Sequence, residues 1–196
     1  GHGAHPNATI DPFHLMSHVI IALNSIVSRR INPFEPAVVS IGAIHGGFTE
    51  NVIPEKVELM GTLRFTNEVV HQQIRTEVRR AFDLVKALGG NYELTFEYGG
   101  PPMINDKLVS DVIEKTGNEL LGSENVHEIV KTLGAEDFGE FLKLAPGAMF
   151  TLGTQKAGHE EYLLHHPRFD LDERALPIGT AMLVETAKRF LNGRPA

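Results

Sequence analysis

The chain has 196 residues, of which 42% are hydrophobic and 22% charged, and its formal net charge at pH 7 is −7. The negative charge argues against a nucleic-acid partner, because phosphate contacts require clustered lysine and arginine side chains. The absence of cysteine excludes disulfides, thiolate metal sites and a cysteine nucleophile, and it is compatible with a cytoplasmic protein. The longest apolar runs, such as residues 19–23, are far too short to span a bilayer, so no membrane partner is expected.

Residues 1–102 alternate between helical and strand patterns. Asp11 is a good N-cap, and Pro12 suits the first position of the helix that follows it. Apolar residues at helical spacing mark two helices, whereas alternation of apolar and polar residues marks strands. In chain order, the pattern predicts a helix over residues 12–29, strands over 38–44 and 57–65, a helix from about 70 to 85, and a strand over 92–98.

This order becomes a split βαβ, ferredoxin-like sandwich if one strand is placed before it, and that first strand normally lies inside the sheet. Three strands and two helices alone leave backbone groups and apolar faces without a partner. The chain also begins in a segment rich in glycine and histidine, without an initiator methionine. We therefore expect a ferredoxin-like domain over residues 1–102 that lacks its first strand, in a chain that is part of a longer protein.

The pattern changes after residue 102. Helices are predicted over residues 106–121, 135–144 and about 176–191, and short strands over 126–130 and 148–153. Alternating helices and strands are typical of a layered α/β domain and differ from the antiparallel module before them. The sequence thus predicts a mixed α/β chain with two domains, 1–102 and 103–196.

Two groups of histidines have features of metal ligands. His165 follows a polar loop and stands beside His166 and several acids, so a neutral imidazole there can bind zinc while its neighbours orient it. A structural or merely exposed histidine pair is the alternative interpretation. His14 and His18 share a helical face at the spacing of a zinc pair, but the glutamate of an HExxH motif is absent, which favours ordinary surface residues.

Six motifs follow one another along the chain in the order and register of one known family. They are Gly1-His2-Gly3-Ala4-His5-Pro6 with Thr9 and Asp11-Pro12, Gly42 with Gly46-Gly47, Asn51-Val52-Ile53-Pro54, Gly61-Thr62-Leu63-Arg64, Gly134-Ala135-Glu136-Asp137-Phe138, and His165-His166-Pro167 through Asp172-Glu173. Together they closely resemble the zinc-dependent aminoacylase and carboxypeptidase family. That family includes hippurate hydrolase, N-acetyl-diaminopimelate deacetylase and plant indole-acetyl amino acid hydrolases.

The resemblance implies a dimetal amidohydrolase in which an α/β catalytic domain is interrupted by an inserted lid that also pairs two subunits. Residues 1–102 resemble this ferredoxin-like lid, and residues 103–196 resemble the C-terminal α/β part of a zinc-exopeptidase catalytic domain. A complete site would hold two divalent ions, either zinc or alternatively manganese, cobalt or nickel. The implied parent protein is a homodimer that cleaves N-acyl amino acids or C-terminal peptide amides with metal-activated water.

The resemblance assigns roles to five residues. His165 matches the C-terminal metal ligand, and His2 matches the lid histidine that stabilises the oxyanion in the partner subunit's site. Asn51 and Arg64 match the lid positions that bind the substrate's free carboxylate, for which a planar guanidinium is well suited. Glu136 lies in a motif that the family places near the substrate.

Four of these residues also have purely structural alternatives. An N-terminal histidine such as His2 is usually only exposed to solvent, and Asn51 can simply shape a turn. Arg64 can pair with an acidic side chain on the sheet surface. Glu136 can complement a helix dipole in an acidic first turn.

The chain departs from the family because it lacks the N-terminal half with the other metal ligands and the glutamate that acts as general base. A catalytic zinc site has three protein ligands, so we expect this chain alone to retain no metal and to be inactive. The alternative function is a non-catalytic, ferredoxin-like module for ligand binding or dimerisation, since a fold alone does not determine function. Tight, metal-independent binding of an amino acid would favour that alternative.

Overall fold

A computed structural model describes residues 1–193 of the chain. These residues form two compact units. The first unit consists of Gly1–Pro102 with Thr132–Ala135, and the second consists of residues 103–131 and 136–193. Among the described residues, no helix is long and apolar enough to cross a membrane.

The first unit contains two long helices that begin at the side chains expected to cap them. The helices are α1, Pro12–Arg30, and α2, Glu68–Ala87, and a 3-10 turn over Pro6–Ala8 precedes them. The carboxylate of Asp11 accepts a hydrogen bond from the backbone N–H of Phe13 at 2.9 Å. The side-chain oxygen of Asn67 accepts one from the N–H of Val70 at 2.9 Å. Each cap satisfies a backbone donor that has no partner in the first helical turn.

The two helices pack against each other and form the core of this unit. Val19 and Ile74 have no exposed surface. Glu77 is buried beside them, 2.9 Å from Arg30 Nε and also bonded to Arg80. The hydrogen bond from Arg30 lowers the pKa of Glu77, so the buried carboxylate stays charged and paired. The other buried apolar residues of this core are Leu15, Leu23, Ile26, Ile31, Val70, Val78, Ala81, Phe82 and Val85.

A two-stranded antiparallel sheet covers one side of the helices. Its strands are β1, Ala37–Gly46, and β2, Val57–Phe65. The strands predicted over residues 38–44 and 57–65 are therefore confirmed. Leu59 and Leu63 of β2 pack against the helical core, which places Arg64 on the opposite face of the strand.

Two glycines let these strands pair closely. The register shifts between Ile41 and Ala43, so Gly42 is the extra residue of a β-bulge. Gly61 lies opposite Ile41, and a Cβ at position 61 would come within 2.5 Å of the Ser40 carbonyl oxygen. The sheet therefore requires glycine at position 61.

The prediction of a strand over residues 92–98 is wrong. Among the described residues, the sheet has two strands and not three. Tyr92, Leu94 and Phe96 do alternate inward and pack on the helical core, as the sequence pattern indicates. A strand is defined by its hydrogen-bonded neighbour, and within residues 1–193 no strand pairs with this segment. In a split βαβ sandwich, the strand inside the sheet is the first one.

The second unit is built around two helices. Its helices are α3, Lys107–Leu121, α4, Phe138–Phe141, and α5, Ala175–Leu191, with a 3-10 turn over Ser123–Asn125. The carboxylate of Asp106 caps α3 by accepting a hydrogen bond from the Val109 N–H at 3.0 Å. α3 packs against α5, and Val112, Thr116 and Met182 are buried. The predicted helices at both ends of this unit are therefore confirmed.

Three other predictions for this unit are wrong. Residues 126–130 and 148–153 do not form strands, and the helix predicted over 135–144 is reduced to the short α4. The side-chain amide of Asn105 donates a hydrogen bond to the Met149 carbonyl at 2.8 Å and accepts one from the Met149 N–H at 2.9 Å. One amide thus satisfies both backbone groups of Met149, which a neighbouring strand would otherwise bond.

Candidate functional site

The first residues of the chain pair with the loop that leads from β1 to β2. The Gly1 ammonium donates to the Ile53 carbonyl at 2.7 Å, and the Ile53 N–H donates to the Gly1 carbonyl at 2.9 Å. The Gly3 N–H donates to the Asn51 carbonyl at 2.8 Å, and the intervening His2 forms a bridge with Val52. Backbone hydrogen bonds therefore hold together the two segments that carry His2 and Asn51, two of the five predicted site residues, with His2 directly opposite Val52.

The imidazole of His2 is held in one tautomer. Its Nδ1 accepts a hydrogen bond from the Ala4 N–H at 3.0 Å, so the proton of the neutral ring lies on Nε2. The ring of His5 lies 5.2 Å away, measured between ring centroids. His2 therefore presents its Nε2–H as a donor, which is the kind of group that stabilises an oxyanion.

Asn51 and Arg64 retain polar groups that can bind a ligand. The Asn51 side-chain oxygen accepts a hydrogen bond from the Thr49 hydroxyl at 3.3 Å. Arg64 Nη1 donates to the Leu63 carbonyl at 3.0 Å. Within residues 1–193, Arg64 forms no ion pair, and Glu58 on the same sheet surface pairs with Lys56 at 2.6 Å. The remaining guanidinium donors of Arg64 are available to a carboxylate.

His165 belongs to the second unit and lies in a tight turn. The His166 N–H donates to the Leu163 carbonyl at 3.1 Å, and His165 has a φ of 71°. Within residues 1–193 it is the one residue other than glycine with a positive φ. Left-handed conformations of residues with a Cβ are costly and are concentrated at functional sites. The backbone at position 165 is thus in a strained, left-handed conformation of the kind that is found at functional sites.

An aromatic and cationic stack holds the residues around this turn. The ring of Tyr162 stacks on that of His166 with centroids 4.5 Å apart, and the Arg168 guanidinium lies 4.3 Å from the Tyr162 centroid. The His166 Nδ1 accepts a hydrogen bond from the Arg168 N–H at 3.1 Å. Such stacking and cation–π contacts orient side chains even at an exposed surface.

The acidic residues after the turn are paired with cations. Arg174 Nε donates to Asp172 at 2.9 Å, and the side chain and backbone N–H of Arg174 lower the pKa of Asp172 to about 2. Lys156 forms a short hydrogen bond to Asp170 and lowers the pKa of that carboxyl. Both carboxylates are charged at neutral pH and already bonded.

The structure does not assemble a metal site from these residues. Glu136 is exposed, and its carboxylate accepts a hydrogen bond from the Asp137 N–H at 3.0 Å. Within residues 1–193, no three histidine, cysteine, aspartate or glutamate side chains lie close enough to hold an ion. His165 can supply one ligand, but one imidazole does not fit the three protein ligands of a catalytic zinc site.

Residues 1–87 match the family model of the M20 peptidase dimerisation domain. A protein from Synechocystis that is named as a hydrolase is 36% identical to this chain over 193 residues, which are 97% of this chain and 49% of that protein. Residues 1–87 are therefore a dimerisation domain of the M20 peptidase family. Other relatives of this chain are named as carboxypeptidases, a deacetylase and IAA-amino acid hydrolases.

Two solved structures that are 30% identical to this chain share its fold. A chain from methicillin-resistant Staphylococcus aureus, described as an aminohydrolase, superposes with a TM-score of 0.82 at 30% identity, over 100% of this chain and 50% of that one. A Bacillus subtilis protein described as a dinuclear metal-binding peptidase of the M20 family superposes with a TM-score of 0.72 at 30% identity, over 91% and 46%. The predicted family and fold class are confirmed: a dimerisation or lid domain followed by part of a catalytic domain. The chain spans about half the length of the curated relatives it matches.

Two features of the chain were not predicted from its sequence. The first is the pairing of Gly1 and Gly3 with the loop at Asn51, for which the closely spaced glycines are the available signal, since a Cβ at position 3 would lie 3.0 Å from the Asn51 carbonyl oxygen. The second is the positive φ at His165, for which the residue type is only a weak signal, because histidine adopts this conformation more often than most residues with a Cβ but still in a small minority of cases.

Proposed function

We propose that the complete protein is a hydrolase of N-acyl amino acids or C-terminal peptide amides and that this chain supplies its lid and part of its catalytic domain. The observation that carries the proposal is the backbone pairing of the segment that carries His2 with the loop that carries Asn51, with His2 Nδ1 accepting a hydrogen bond so that Nε2 is its donor. An N–H donor and a polar side chain on two paired segments are suited to a substrate with an amide carbonyl close to a carboxylate. We assign residues 1–102 to the lid and residues 103–196 to the catalytic domain, and we place the protein in the cytoplasm.

In this proposal, His2 donates a hydrogen bond to the oxygen that becomes negative when water attacks the amide carbonyl. Asn51 and the guanidinium of Arg64 bind the free carboxylate of the substrate, and Glu136 lies near the bound substrate. Arg64 is free for this role because its described contacts are with a backbone carbonyl and not with an acid. A bidentate hydrogen bond between guanidinium and carboxylate fixes orientation as well as affinity.

His165 is the proposed metal ligand of this chain. The family implies a pair of divalent ions, which would activate the attacking water. The strained backbone at position 165 supports a ligand role, but the described residues do not complete a metal site. We therefore assign no step of the reaction to a metal within this chain, and we expect the 196-residue chain alone to be inactive.

The first experiment is a hydrolysis assay on the full-length protein with a hippurate-like substrate and added divalent metal. His2→Ala should lower kcat by about 10²–10³, because that is the usual effect of removing one oxyanion donor. His5→Ala is the matched control, since His5 lies on the same segment and is exposed. Activity that resists a chelator, or no activity on any acyl amino acid, would refute the enzymatic proposal.

The second experiment tests the carboxylate site. Arg64→Ala should raise KM roughly 10–100-fold for an N-acyl amino acid, which is the range for losing charged hydrogen bonds. The same variant should leave KM unchanged for the corresponding amino acid amide, which has no free carboxylate. Arg29→Ala, an exposed arginine of α1, is the control for charge. Equal effects on both substrates would show that Arg64 does not bind the carboxylate.

We also propose that the complete protein is a homodimer paired through the lid, which the match to a dimerisation domain supports. If His2 serves the partner's site, mixing inactive His2→Ala and His165→Ala subunits should restore activity. Random mixing makes half of the dimers hybrids with one complete site each, so roughly a quarter of the original activity is expected. Mixtures that remain inactive, although the subunits exchange, would place His2 in its own subunit's site.

A further inference from the structure

The exposed side of α1 carries two histidines one helical turn apart. His14 and His18 occupy positions i and i+4, and both side chains are exposed. Their neighbours Leu15 and Val19 are buried at 7% and 0% exposure, so the helix beneath the two imidazoles is fixed by the core of the first unit. Residues at this spacing lie on one face of a helix and approach each other closely.

The two rings are already at the separation that a shared metal ion requires. Their centroids are 4.9 Å apart, and the ring planes are nearly perpendicular at 88°. Two imidazoles that each bind one ion at about 2.0–2.1 Å, at a nearly tetrahedral angle, have ring centroids roughly 5 Å apart. One ion can therefore contact a nitrogen of each ring after side-chain rotation, without any change of the backbone.

The nitrogens of these two rings have no competing partners. Within residues 1–193, neither imidazole makes a hydrogen bond or an ion pair. Other histidines are engaged: His71 bonds to Glu68 at 3.1 Å, and His2 accepts a hydrogen bond from a backbone N–H. A metal ion at α1 would thus displace water and no protein contact.

We propose that His14 and His18 together bind one divalent transition-metal ion on the surface of α1, with water completing its coordination. Imidazole ligands suit Cu²⁺, Ni²⁺ and Zn²⁺, whereas Mg²⁺ and Ca²⁺ require oxygen ligands. No third histidine or acid among the described residues completes the site, so a two-ligand site of moderate affinity follows. The proposal is independent of the hydrolase function, because it uses none of the five residues assigned to that reaction.

The test is titration calorimetry of the 196-residue chain with Ni²⁺ and Zn²⁺. We expect one ion per chain, tighter binding of Ni²⁺ than of Zn²⁺ in line with the general order of affinities, and no binding of Mg²⁺. His14→Ala and His18→Ala should each weaken binding at least about tenfold. Two imidazoles on one helix bind the ion more tightly than one does, because the second ligand binds intramolecularly. Both side chains are exposed, and far-ultraviolet circular dichroism checks that the variants fold.

Three control variants make the assignment specific. The rings of His2 and His5 also lie near each other, 5.2 Å apart, so the double variant His2→Ala/His5→Ala should leave this binding unchanged. His165→Ala and His127→Ala should do the same. With Zn²⁺, the imidazole ¹⁵N resonances of His14 and His18 should shift together. Loss of binding in the double variant, unchanged binding in His14→Ala, or one ion per two chains would each overturn the proposal.

Discussion

The two units of the chain differ in how completely they cover their own apolar side chains. In the first unit, both helices, the sheet and the segment at residues 92–98 contribute to one continuous core. In the described part of the second unit, the buried apolar side chains are Val112, Ala175 and Met182, while Leu144 and Leu183 remain 86% and 64% exposed. Since hydrophobic stabilisation scales with the apolar area removed from water, the first unit is expected to be the more stable one.

The residues proposed for function also differ between the two units in how firmly the backbone holds them. In the first unit, His2 and Asn51 lie on backbone segments that are hydrogen-bonded to each other. In the second unit, Glu136 and His165 lie in irregular loops. Hydrogen exchange should therefore be slowest in α1 and α2 and fastest in the loops around positions 136 and 165.

The largest expected effect comes from the core of the first unit. Ile74→Ala should lower the free energy of unfolding by about 4 kcal/mol, because it leaves a cavity at a completely buried position. Met182→Ala in the second unit should cost only about 2 kcal/mol, since fewer buried neighbours surround it. Urea denaturation measures both, and Ile21→Ala, at a position 69% exposed, is the matched control. A larger loss for Met182→Ala would reverse the comparison.

The next effect comes from the buried carboxylate. Glu77→Gln should destabilise the protein by about 2 kcal/mol, because Glu77 has a 10% exposed side chain and makes charged hydrogen bonds to Arg30 and Arg80. Glu119 pairs with Arg189 in the second unit but is 54% exposed, so Glu119→Gln should cause no measurable change. Equal losses in thermal unfolding would show that burial does not distinguish the two pairs.

The same carboxylate predicts a pH dependence with a defined sign. The hydrogen bond from Arg30 lowers the pKa of Glu77 below its ordinary value of 4.5. Its contribution to stability is therefore fully present above the unfolded-state pKa, and it is lost as the pH falls through the lower folded-state value. The stability difference between the wild type and Glu77→Gln should shrink as the pH falls below 4.5. A difference that grows under acid would contradict this assignment.

The next prediction concerns two glycines. Gly61→Ala should cost about 1.5 kcal/mol, because the new Cβ meets the rigid Ser40 carbonyl at 2.5 Å. Gly117→Ala in α3 meets a Val126 methyl at 3.0 Å, which can move, and it gains up to about 1 kcal/mol of helix propensity. Thermal unfolding should therefore shift downward for Gly61→Ala and stay level or rise for Gly117→Ala.

The smallest expected loss of stability comes from removing a helix N-cap, and it should be the same in both units. Asn67→Ala and Asp106→Ala each remove a side-chain acceptor from an N–H in the first turn of a helix. Each should cost about 1 kcal/mol in chemical denaturation, because capping is local and does not depend on the size of the core. Serine at either position should recover most of the loss.

Local signals in the sequence were enough to predict the four long helices and the two paired strands, but not the extent of the short α4. Asp11 and Asp106 cap the helices expected after them, and the alternation over residues 57–65 matches β2. The strands expected over residues 92–98, 126–130 and 148–153 are absent because a strand depends on a hydrogen-bonded neighbour, which a local pattern does not reveal. The side chain of Asn105, bonded to Met149, is such a non-local contact.

The candidate site could be predicted only in part for a related reason. Histidine and arginine at motif positions identify His2, Arg64 and His165 as candidates. Which of them meet depends on contacts between distant parts of the chain, such as the pairing of residues 1–3 with 51–53. Nothing in the residues before position 165 predicts its left-handed backbone.

The hydrogen-bonded pairing of Gly1 and Gly3 with Asn51 and Ile53 also fixes a distance. The segments that carry His2 and Asn51 cannot move apart without breaking these backbone bonds, so in the proposed hydrolase the spacing between the donor to the scissile carbonyl and the group that binds the free carboxylate is fixed. A fixed spacing discriminates substrates by the number of carbon atoms between these two groups rather than by the acyl chain. Substrates that differ by one methylene at that point should then be separated far more sharply than substrates that differ in their acyl groups.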